Sequence, residues 1–365
     1  MVPRAPEVFT VGEPVRLRDV AAHAGVSPAT VSRTLNGDER VHPDLRRRVE
    51  ESVAALGYRR NRLARNLRLQ RLDVIGVVVS DIENPHFSEM VKVIENEGFR
   101  HGYRVLVCAT NESPEKQEHY LQMLADEHVA GVILSPSDPG GAGIPELIDG
   151  GIPVVAFDRE VSDPRADTVI ADNVAGVAVA TELLIEAGHR DIGYVGGRKG
   201  VETSIERLAG YRQAMRKAGL KPNAVVGDFR IEGGRRAIAD LIASPKPPTA
   251  VVVANNLMTL GALKAVHHAG LSIPDDLALV GIDDPYWAEF VSPPITSMAQ
   301  PVGAMAREAI GMLLARLNGE AGPPQRSVHS LGLVVRESVG SPRHLGRVLN
   351  LDSQGRTDAR TTTPR

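Results

Sequence analysis

From residue 73 onward, short runs of β-branched residues alternate with longer helical stretches, and this alternation constrains the fold more than any other feature of the chain. Strands that alternate with helices predict parallel sheets covered by helices on both faces. The rhythm restarts once, which predicts an α/β body of two similar lobes. The predicted strands span 74–79, 105–107, 132–134, 153–157, 192–195, 250–253 and 277–282. The predicted helices span 85–101, 114–127, 144–149, 173–187, 202–218, 232–243 and 256–268.

The charge of the chain is divided unevenly along its length. Residues 1–71 contain fourteen arginines, no lysine and eight acidic residues, a formal charge of +6. Residues 72–365 carry 28 basic and 37 acidic residues, a formal charge of −9. A basic head on an acidic body predicts a polyanionic partner for the head alone. A solvated surface that happens to be basic is the alternative that charge by itself leaves open.

Composition argues against several classes of protein. No run of about 18 apolar residues is present, so we expect no membrane span. Residues 1–14 lack the apolar segment of a secretory signal, and we expect a cytoplasmic, nucleoid-associated protein. Cys108 is the only cysteine, which excludes an intramolecular disulfide and a cysteine-clustered zinc site. We expect no metal, no cofactor and no enzyme, since the glycines at 196–200 match neither phosphate-binding pattern and a GxSxG motif is absent.

Residues 17–36 carry the pattern of two short helices around a tight turn. Apolar residues in the first helix recur at three- and four-residue spacing and so form one buried stripe. Gly25 permits the turn, Ser27 is suited to cap the second helix, and Pro28 fits the first position of that helix. The second helix buries Val31 and Leu35 and turns polar residues outward. This is the layout of a helix-turn-helix that reads DNA.

A third helix is predicted over 44–56, with three consecutive arginines at 46–48 beside its apolar face. Any short three-helix bundle could share this apolar pattern, so the pattern alone leaves the function of the head open. The stretch 58–68 then holds five arginines and only three apolar side chains after Tyr58, too few to build a core of its own. It is either a free linker or a segment that becomes helical on DNA.

The segments SPATVSRTLN, VHPDLRRRVEESVAALGY and NRLARNLR resemble the head of the LacI/GalR family of bacterial transcriptional regulators. The resemblance continues to about Ser338 and implies an all-α helix-turn-helix head followed by two flavodoxin-like lobes of the periplasmic-binding-protein type. It also implies that the second helix reads the major groove of a pseudo-palindromic, double-stranded DNA operator. A hinge helix from Asn61 to Arg68 would enter the minor groove, where Leu67 wedges a base step. The DNA-contacting positions that the resemblance implies are Arg18, Ser27, Pro28, Ala29, Thr30, Ser32, Arg33, Asn36, Arg40, Asn61, Ala64, Leu67 and Arg68.

The predicted domain boundaries follow the same patterns. By resemblance, the first lobe comprises 73–158 and about 302–321, and the second about 172–299 and 326–340, so the chain crosses between the lobes three times. The tail lacks a sustained leucine heptad, which favours a homodimer over a tetramer. The five predicted regions are a disordered N-terminus (1–14), the DNA-binding domain (15–60), the hinge helix and linker (61–72), the effector-binding and dimerisation domain (73–340), and a disordered tail (341–365).

Polar side chains gather at the predicted carboxyl ends of the strands, where doubly wound sheets bind their ligands. Carboxylates accept hydrogen bonds from sugar hydroxyls, guanidinium and amide groups donate them, and aromatic rings cover C–H faces, so this mixture suits a small hydroxyl-rich ligand. Each residue has a plainer alternative, such as a helix cap at Asn84 or an ion pair between Asp158 and Arg159. The candidate effector-binding residues are Asn84, His86, Phe87, Asp158, Arg159, Thr203, Arg207, Phe229, Asn255, Asp283 and Gln300.

The adjacent Asp158 and Arg159 are similar to the set that binds pentoses in ribose-binding proteins and pentose-responsive regulators. The resemblance therefore implies a repressor of a carbohydrate-utilisation operon that a small sugar such as ribose releases. His86 departs from that set, which usually has an aromatic carbon ring, and Asn256 stands where the family usually has aspartate. Purine-responsive members carry a further arginine where Val201 stands. The alternatives are a regulator activated by a purine or phosphorylated co-repressor and, disfavoured, a solute-binding protein without a transcriptional role.

Overall fold

A computed structural model describes residues 15–35, 38, 40–58 and 72–340. The chain divides into two compact units, 1–70 and 71–365, the first a helical head and the second an α/β body. Several predicted positions lie outside the described residues. They are Asn36, Asn61, Ala64, Leu67 and Arg68, together with both termini and the hinge.

The head consists of three helices, as the sequence predicts: α1 (Leu17–Ala24), α2 (Pro28–Leu35) and α3 (Pro43–Ala55). Gly25 ends α1 in the left-handed conformation, with φ 63°. Ser27 caps α2, since its hydroxyl oxygen accepts a hydrogen bond from the backbone N–H of Thr30 at 3.1 Å. The core of the head is a single cluster of buried side chains: Val20, Ala21, Ala24, Val31, Val49 and Tyr58.

Each lobe of the body is built on a six-stranded sheet. In the first lobe the order is β2-β1-β3-β4-β5-β11 and every pairing is parallel. Its strands are β1 (Val74–Val79), β2 (Arg104–Ala109), β3 (Gly131–Leu134), β4 (Val154–Phe157), β5 (Asp167–Ala171) and β11 (Arg326–His329). Its helices are α4 (Pro85–Arg100), α5 (Pro114–Asp126), α6 (Gly143–Asp149) and α11 (Val302–Leu317).

The second lobe repeats this order as β7-β6-β8-β9-β10-β12, with β12 antiparallel to β10. Its strands are β6 (Ile192–Gly196), β7 (Asn223–Val226), β8 (Ala250–Val253), β9 (Ala278–Ile282), β10 (Thr296–Ala299) and β12 (Gly332–Val334). Its helices are α7 (Asn173–Glu186), α8 (Glu202–Lys217), α9 (Ile231–Ile242) and α10 (Asn256–His268). Five strands of each lobe follow the flavodoxin order 2-1-3-4-5, which confirms the predicted fold class. In each sheet the carboxyl ends of the central strands lie at one edge, and ligands of such sheets bind there.

The assignment of residues 326–340 to the second lobe is wrong at its start. Residues 326–329 form β11 and pair with β5 of the first sheet, with Val328 opposite Ile170. The carboxylate of Asp167 explains this placement, because it accepts hydrogen bonds from the Arg316 side chain at 2.8 and 2.9 Å and from the Gln325 backbone N–H at 2.7 Å. The segment that leaves α11 is therefore held at the edge of the first sheet. The chain still crosses between the lobes three times, after β5, after β10 and after β11.

Cys108 lies buried on β2, as predicted, and burial raises the pKa of its thiol. Within the described ranges no helix is both long enough and apolar enough to cross a bilayer.

Candidate ligand-binding cleft and nucleic-acid interface

A cavity lies among residues that follow strands of both sheets, at the strand ends where ligands of such sheets bind. All eleven residues that the sequence singles out for effector binding line this cavity. Five further residues line it and were missed: Ser80, Asp81, Glu112, Asp228 and Arg230. Ser80 and Asp81 directly follow β1, and Glu112 lies three residues after β2. Counting every polar residue that closely follows a predicted strand would therefore have found these three.

Four of the lining residues have a left-handed backbone: Glu112, Asp158, Phe229 and Asp283, with φ of 61°, 69°, 66° and 70°. Aspartate tolerates this conformation better than most residues, whereas phenylalanine rarely adopts it. Gly197 makes room for the ring of Phe229, because a Cβ atom at Gly197 would lie 2.0 Å from the ring. Strain of this kind persists only where the surrounding structure fixes it. The surrounding structure therefore holds these residues in place in the cleft.

One wall of the cleft carries a network of amides around Asp283. The carboxylate of Asp283 accepts hydrogen bonds from Gln300 Nε2 at 2.6 Å and from Asn256 Nδ2 at 2.9 Å. Asn256 Nδ2 also lies 2.9 Å from Asn84 Oδ1, which joins the second lobe to the first. The same Oδ1 of Asn84 accepts a hydrogen bond from the backbone N–H of His86 at 3.0 Å. Asn84 therefore also caps helix α4, the plainer role that the sequence suggests for it. Asparagine at 256, the departure noted in the sequence, supplies the donor between these two oxygen acceptors.

Another part of the cleft lining is Arg159, which is buried with its guanidinium between two carboxylates. Its Nη atoms lie 2.6 and 2.8 Å from the oxygens of Glu112, and its Nε lies 3.5 Å from Asp158. Burial opposes the charged form, but the hydrogen bonds and charge of Glu112 raise the pKa of Arg159 above its ordinary value. Arg207 is held by Asn173 Oδ1 and by the backbone oxygen of Ala254, each at 2.7 Å. Both arginines therefore present fixed donors.

Several buried polar atoms of the cavity wall have no hydrogen-bond partner within the protein. Both ring nitrogens of His86 belong to this group, although Nε2 lies 3.5 Å from the Asp158 carboxylate. The His86 ring packs edge-on against Phe87, with ring centroids 4.9 Å apart, so it serves partly as the expected aromatic surface. The remaining unpartnered atoms are Ser80 Oγ, Arg159 Nε and Gln300 Oε1. A buried polar atom left unpaired costs about 1–3 kcal/mol, so these atoms favour a ligand that hydrogen-bonds to them.

Most of the predicted DNA-contacting side chains on α2 and in the turn before it are exposed. Pro28, Ala29 and Arg33 are exposed on α2, as are Arg18 and Ser27 elsewhere on the head. Thr30 and Ser32 are half-buried on α2. This exposed surface is the candidate nucleic-acid interface.

Arg40 is also exposed, but its guanidinium is paired with the carboxylate of Asp38 at 2.9 Å. The hydrogen bond from Arg40 lowers the pKa of Asp38 to about 2. A contact from Arg40 to a phosphate would therefore compete with this internal pair.

Two family models match this chain. Residues 16–61 match the bacterial regulatory proteins of the lacI family, and residues 181–339 match a periplasmic binding protein-like domain. Curated relatives span almost the whole chain. The HTH-type transcriptional regulator CelR of Thermobifida fusca is 36% identical, covering 88% of this chain and 97% of CelR. The HTH-type transcriptional repressor PurR of Actinobacillus pleuropneumoniae is 33% identical, covering 88% of this chain and 98% of PurR.

Solved structures agree with the fold. The lac repressor dimer bound to operator and the anti-inducer ONPF superposes with a TM-score of 0.81 at 27% identity, over 90% of this chain and all of that chain. A LacI family transcriptional regulator from Enterococcus faecium with bound ribose has a TM-score of 0.68 at 26% identity, over 74% of this chain and 99% of that chain.

Proposed function

Because this chain belongs to the LacI family of bacterial regulatory proteins and is a transcriptional repressor with an operator and a small-molecule effector, we propose that the effector is a small neutral sugar. A pentose such as ribose is the favoured ligand, and its binding releases a carbohydrate-utilisation operon. The proposal concerns the class of ligand and the direction of control.

The observation that carries the proposal is the polar lining of the cleft. Donors from Arg159, Arg207 and Asn255 and acceptors from Asp158 and Asp283 surround one cavity. Unpartnered polar atoms come from four of the lining residues, Ser80, His86, Arg159 and Gln300. A sugar carries hydroxyl groups on several sides, and each hydroxyl both donates and accepts. A small polyol can therefore pair with most of these atoms at once.

The aromatic side chains of the cleft fit the same ligand. Phe87, His86 and Phe229 present ring surfaces that suit the C–H face of a sugar. The regulator from Enterococcus faecium with bound ribose supports a pentose in a cleft of this fold. The relative named PurR keeps a purine co-repressor as the second candidate. Against it, the buried Arg159 is held between carboxylates, which presents hydrogen-bond donors rather than a flat apolar wall for a base.

Contacts across the cleft offer a physical basis for control by a ligand. Asn256 hydrogen-bonds to Asn84, and Glu202 accepts a hydrogen bond from the backbone N–H of Glu160 at 2.8 Å, each pair joining one lobe to the other. A ligand that touches both lobes favours the lobe arrangement to which it binds more tightly. We infer that the sugar thereby separates the two hinges of a homodimer, so that the predicted hinge helix with Asn61, Ala64, Leu67 and Arg68 no longer fits the operator.

The head is the part of the chain that we propose to bind the operator. We propose that α2 enters the major groove, with Arg33 as the principal reader of base edges, because Pro28 and Ala29 offer only apolar contacts. Arg33 is exposed and suited to a bidentate contact with guanine. Two heads on a pseudo-palindrome require two copies of the chain, and the lac repressor dimer bound to operator supports this arrangement.

The test is a thermal-shift titration of the full chain with D-ribose, other pentoses, hexoses, sugar phosphates and purines. A ligand that binds only the folded state stabilises it by about 2.7 kcal/mol at a concentration one hundred times its Kd. We expect a free pentose to raise the melting temperature. The variant Asp283→Asn tolerates the left-handed backbone and should lose that rise. A rise with purines alone would reject the sugar assignment, and a D283N variant that responds like the wild type would show that the cleft is misassigned.

A further inference from the structure

Inside the cleft, the carboxylate of Glu112 from the first lobe pairs with the guanidinium group of Arg159. The two oxygens of Glu112 lie 2.6 and 2.8 Å from Nη2 and Nη1 of Arg159, which is the two-pronged geometry in which arginine binds a free carboxylate or phosphate. The Arg159 side chain is 5% exposed and the Glu112 side chain 11%, so water hardly screens the pair. The backbone oxygen of Pro136 accepts a further hydrogen bond from Nη1 at 3.1 Å.

The backbone of Glu112 is fixed on both sides. Asn111 and Glu112 both have left-handed backbones, with φ of 54° and 61°, and they turn the chain between β2 and α5. Ser113 then caps α5 by accepting a hydrogen bond from the Lys116 backbone N–H at 3.2 Å. From the second lobe, Arg198 Nη1 donates to the backbone oxygen of Glu112 at 3.1 Å. The carboxylate is therefore held in the cleft by its surroundings.

We propose that Glu112 is a specificity-determining residue that reserves the cleft for neutral ligands. Its carboxylate fills the position at Arg159 that the phosphate or carboxylate group of an anionic ligand would take. This inference rests on the proposed function in one respect, that the ligand of the repressor enters this cleft. It names the residue that excludes charged ligands, which the proposed function leaves open.

The donors that remain support a neutral ligand. Arginine has five N–H groups, and Glu112 and Pro136 occupy three of those of Arg159. The Nε–H, which has no partner within the protein, and one Nη2–H are left for uncharged oxygen atoms such as sugar hydroxyls. The cavity lining as a whole holds five carboxylates and three guanidinium groups, a formal excess of two negative charges. An added anion would meet like charges in a poorly hydrated site, which costs several kcal/mol.

Removal of the Glu112 charge should reverse this preference. Arg159 would keep only Asp158, 3.5 Å from its Nε, as a carboxylate partner, and a buried cation that loses a paired carboxylate gains strongly from a new anionic partner. A matched control exists in Asp81, which lines the same cavity but accepts a hydrogen bond from the Glu83 backbone N–H at 3.0 Å. Asp81→Asn removes the same charge from the same cavity and leaves the pair of Glu112 with Arg159 in place.

The experiment is isothermal titration of the full chain with D-ribose and with ribose 5-phosphate. We expect Glu112→Gln to bind ribose 5-phosphate at least tenfold more tightly than the wild type, and D81N to gain less than threefold. Glu112→Asn, which tolerates the left-handed backbone, serves as the second variant if E112Q does not fold. Tight binding of ribose 5-phosphate by the wild type, or equal gains in E112Q and D81N, would overturn the proposal.

The two proposals can fail separately. If the wild type binds ribose and E112Q gains nothing toward ribose 5-phosphate, the role of Glu112 is rejected while the sugar effector stands. If the wild type ignores ribose but E112Q gains ribose 5-phosphate, the pentose assignment is rejected while the role of Glu112 stands.

Discussion

The position of the Phe229 ring depends on a single glycine, Gly197. The ring packs so closely on Gly197 that a Cβ atom there would lie 2.0 to 2.5 Å from three ring atoms. Asn255 Nδ2 donates to the backbone oxygen of Phe229 at 3.0 Å and fixes the chain on the other side. A Cβ atom at position 197 would therefore push the ring out of its place.

We therefore expect Gly197→Ala to displace the ring and to weaken sugar binding. An aromatic contact is worth about 0.5–1.5 kcal/mol, so the loss in affinity should be about three- to tenfold in isothermal titration. Gly332→Ala is the control, because a Cβ atom at Gly332 would meet nothing within 4 Å. Unchanged sugar affinity in G197A would show that Phe229 does not cover the ligand.

Among the elements of the head, α2 and α3 use their arginines for different purposes. Arg33 on α2 is exposed. Arg48 on α3 donates from Nη2 to the backbone oxygen of Ala24 at 2.6 Å, at the end of α1. A Cβ atom at Gly25 would lie 2.6 Å from the same Nη2, so the glycine turn and Arg48 fit each other.

The two arginines should give opposite results when replaced by alanine. Arg33→Ala should weaken binding to a specific operator by about 1–3 kcal/mol and leave the unfolding of the head unchanged. Arg48→Ala should destabilise the head by about 1–2 kcal/mol, because it removes a charged hydrogen bond to a helix end. Urea unfolding and DNA-binding titrations of both variants separate the two effects. A stable R48A, or an R33A that unfolds earlier, would contradict these roles.

The elements that the sequence predicts are those with long periodic patterns. The predicted helices α4, α5, α7, α8 and α10 match within two residues, since each carries an apolar stripe over several turns. The short strands β5, β7, β10, β11 and β12 were missed, because three to five residues give no periodicity that separates them from loops. Their places depend on pairing with a distant edge, as for Val328 beside Ile170.

The residues that line the cleft were predictable from the sequence only in part. Nine of the eleven predicted residues follow strands that the sequence predicts, whereas Phe229 and Gln300 follow β7 and β10, which it does not. The pair of Glu112 with Arg159 was not predictable, because two left-handed residues after β2 direct the carboxylate toward Arg159. Asp228 and Arg230, on either side of Phe229, were missed.

At the scale of the whole molecule, the apolar edges of the sheets matter most. The outer strand β2 exposes Leu106 and Val107 by 38% and 39%, and β7, at the equivalent edge of the second sheet, exposes Val226 by 56%. Exposed apolar edge strands are sites of association unless they are covered. We propose that these edges contribute to the homodimer.

Leu106→Glu should accordingly shift the protein from dimer to monomer in sedimentation velocity and weaken operator binding at least tenfold. Val328→Glu is the matched control, since Val328 is exposed by 44% on β11, at the opposite edge of the same sheet. A dimer that persists in L106E, or one that is lost equally in V328E, would place the interface elsewhere.

We propose that a neutral sugar in the cleft releases the repressor from DNA. The most direct test measures the affinity of the full chain for an operator, selected by the protein from a random DNA library, with and without D-ribose. Fluorescence anisotropy should show that saturating ribose raises the operator Kd at least tenfold, and that D283N does not respond. Ribose that stabilises the folded protein but leaves the operator Kd unchanged, or lowers it, would contradict the account.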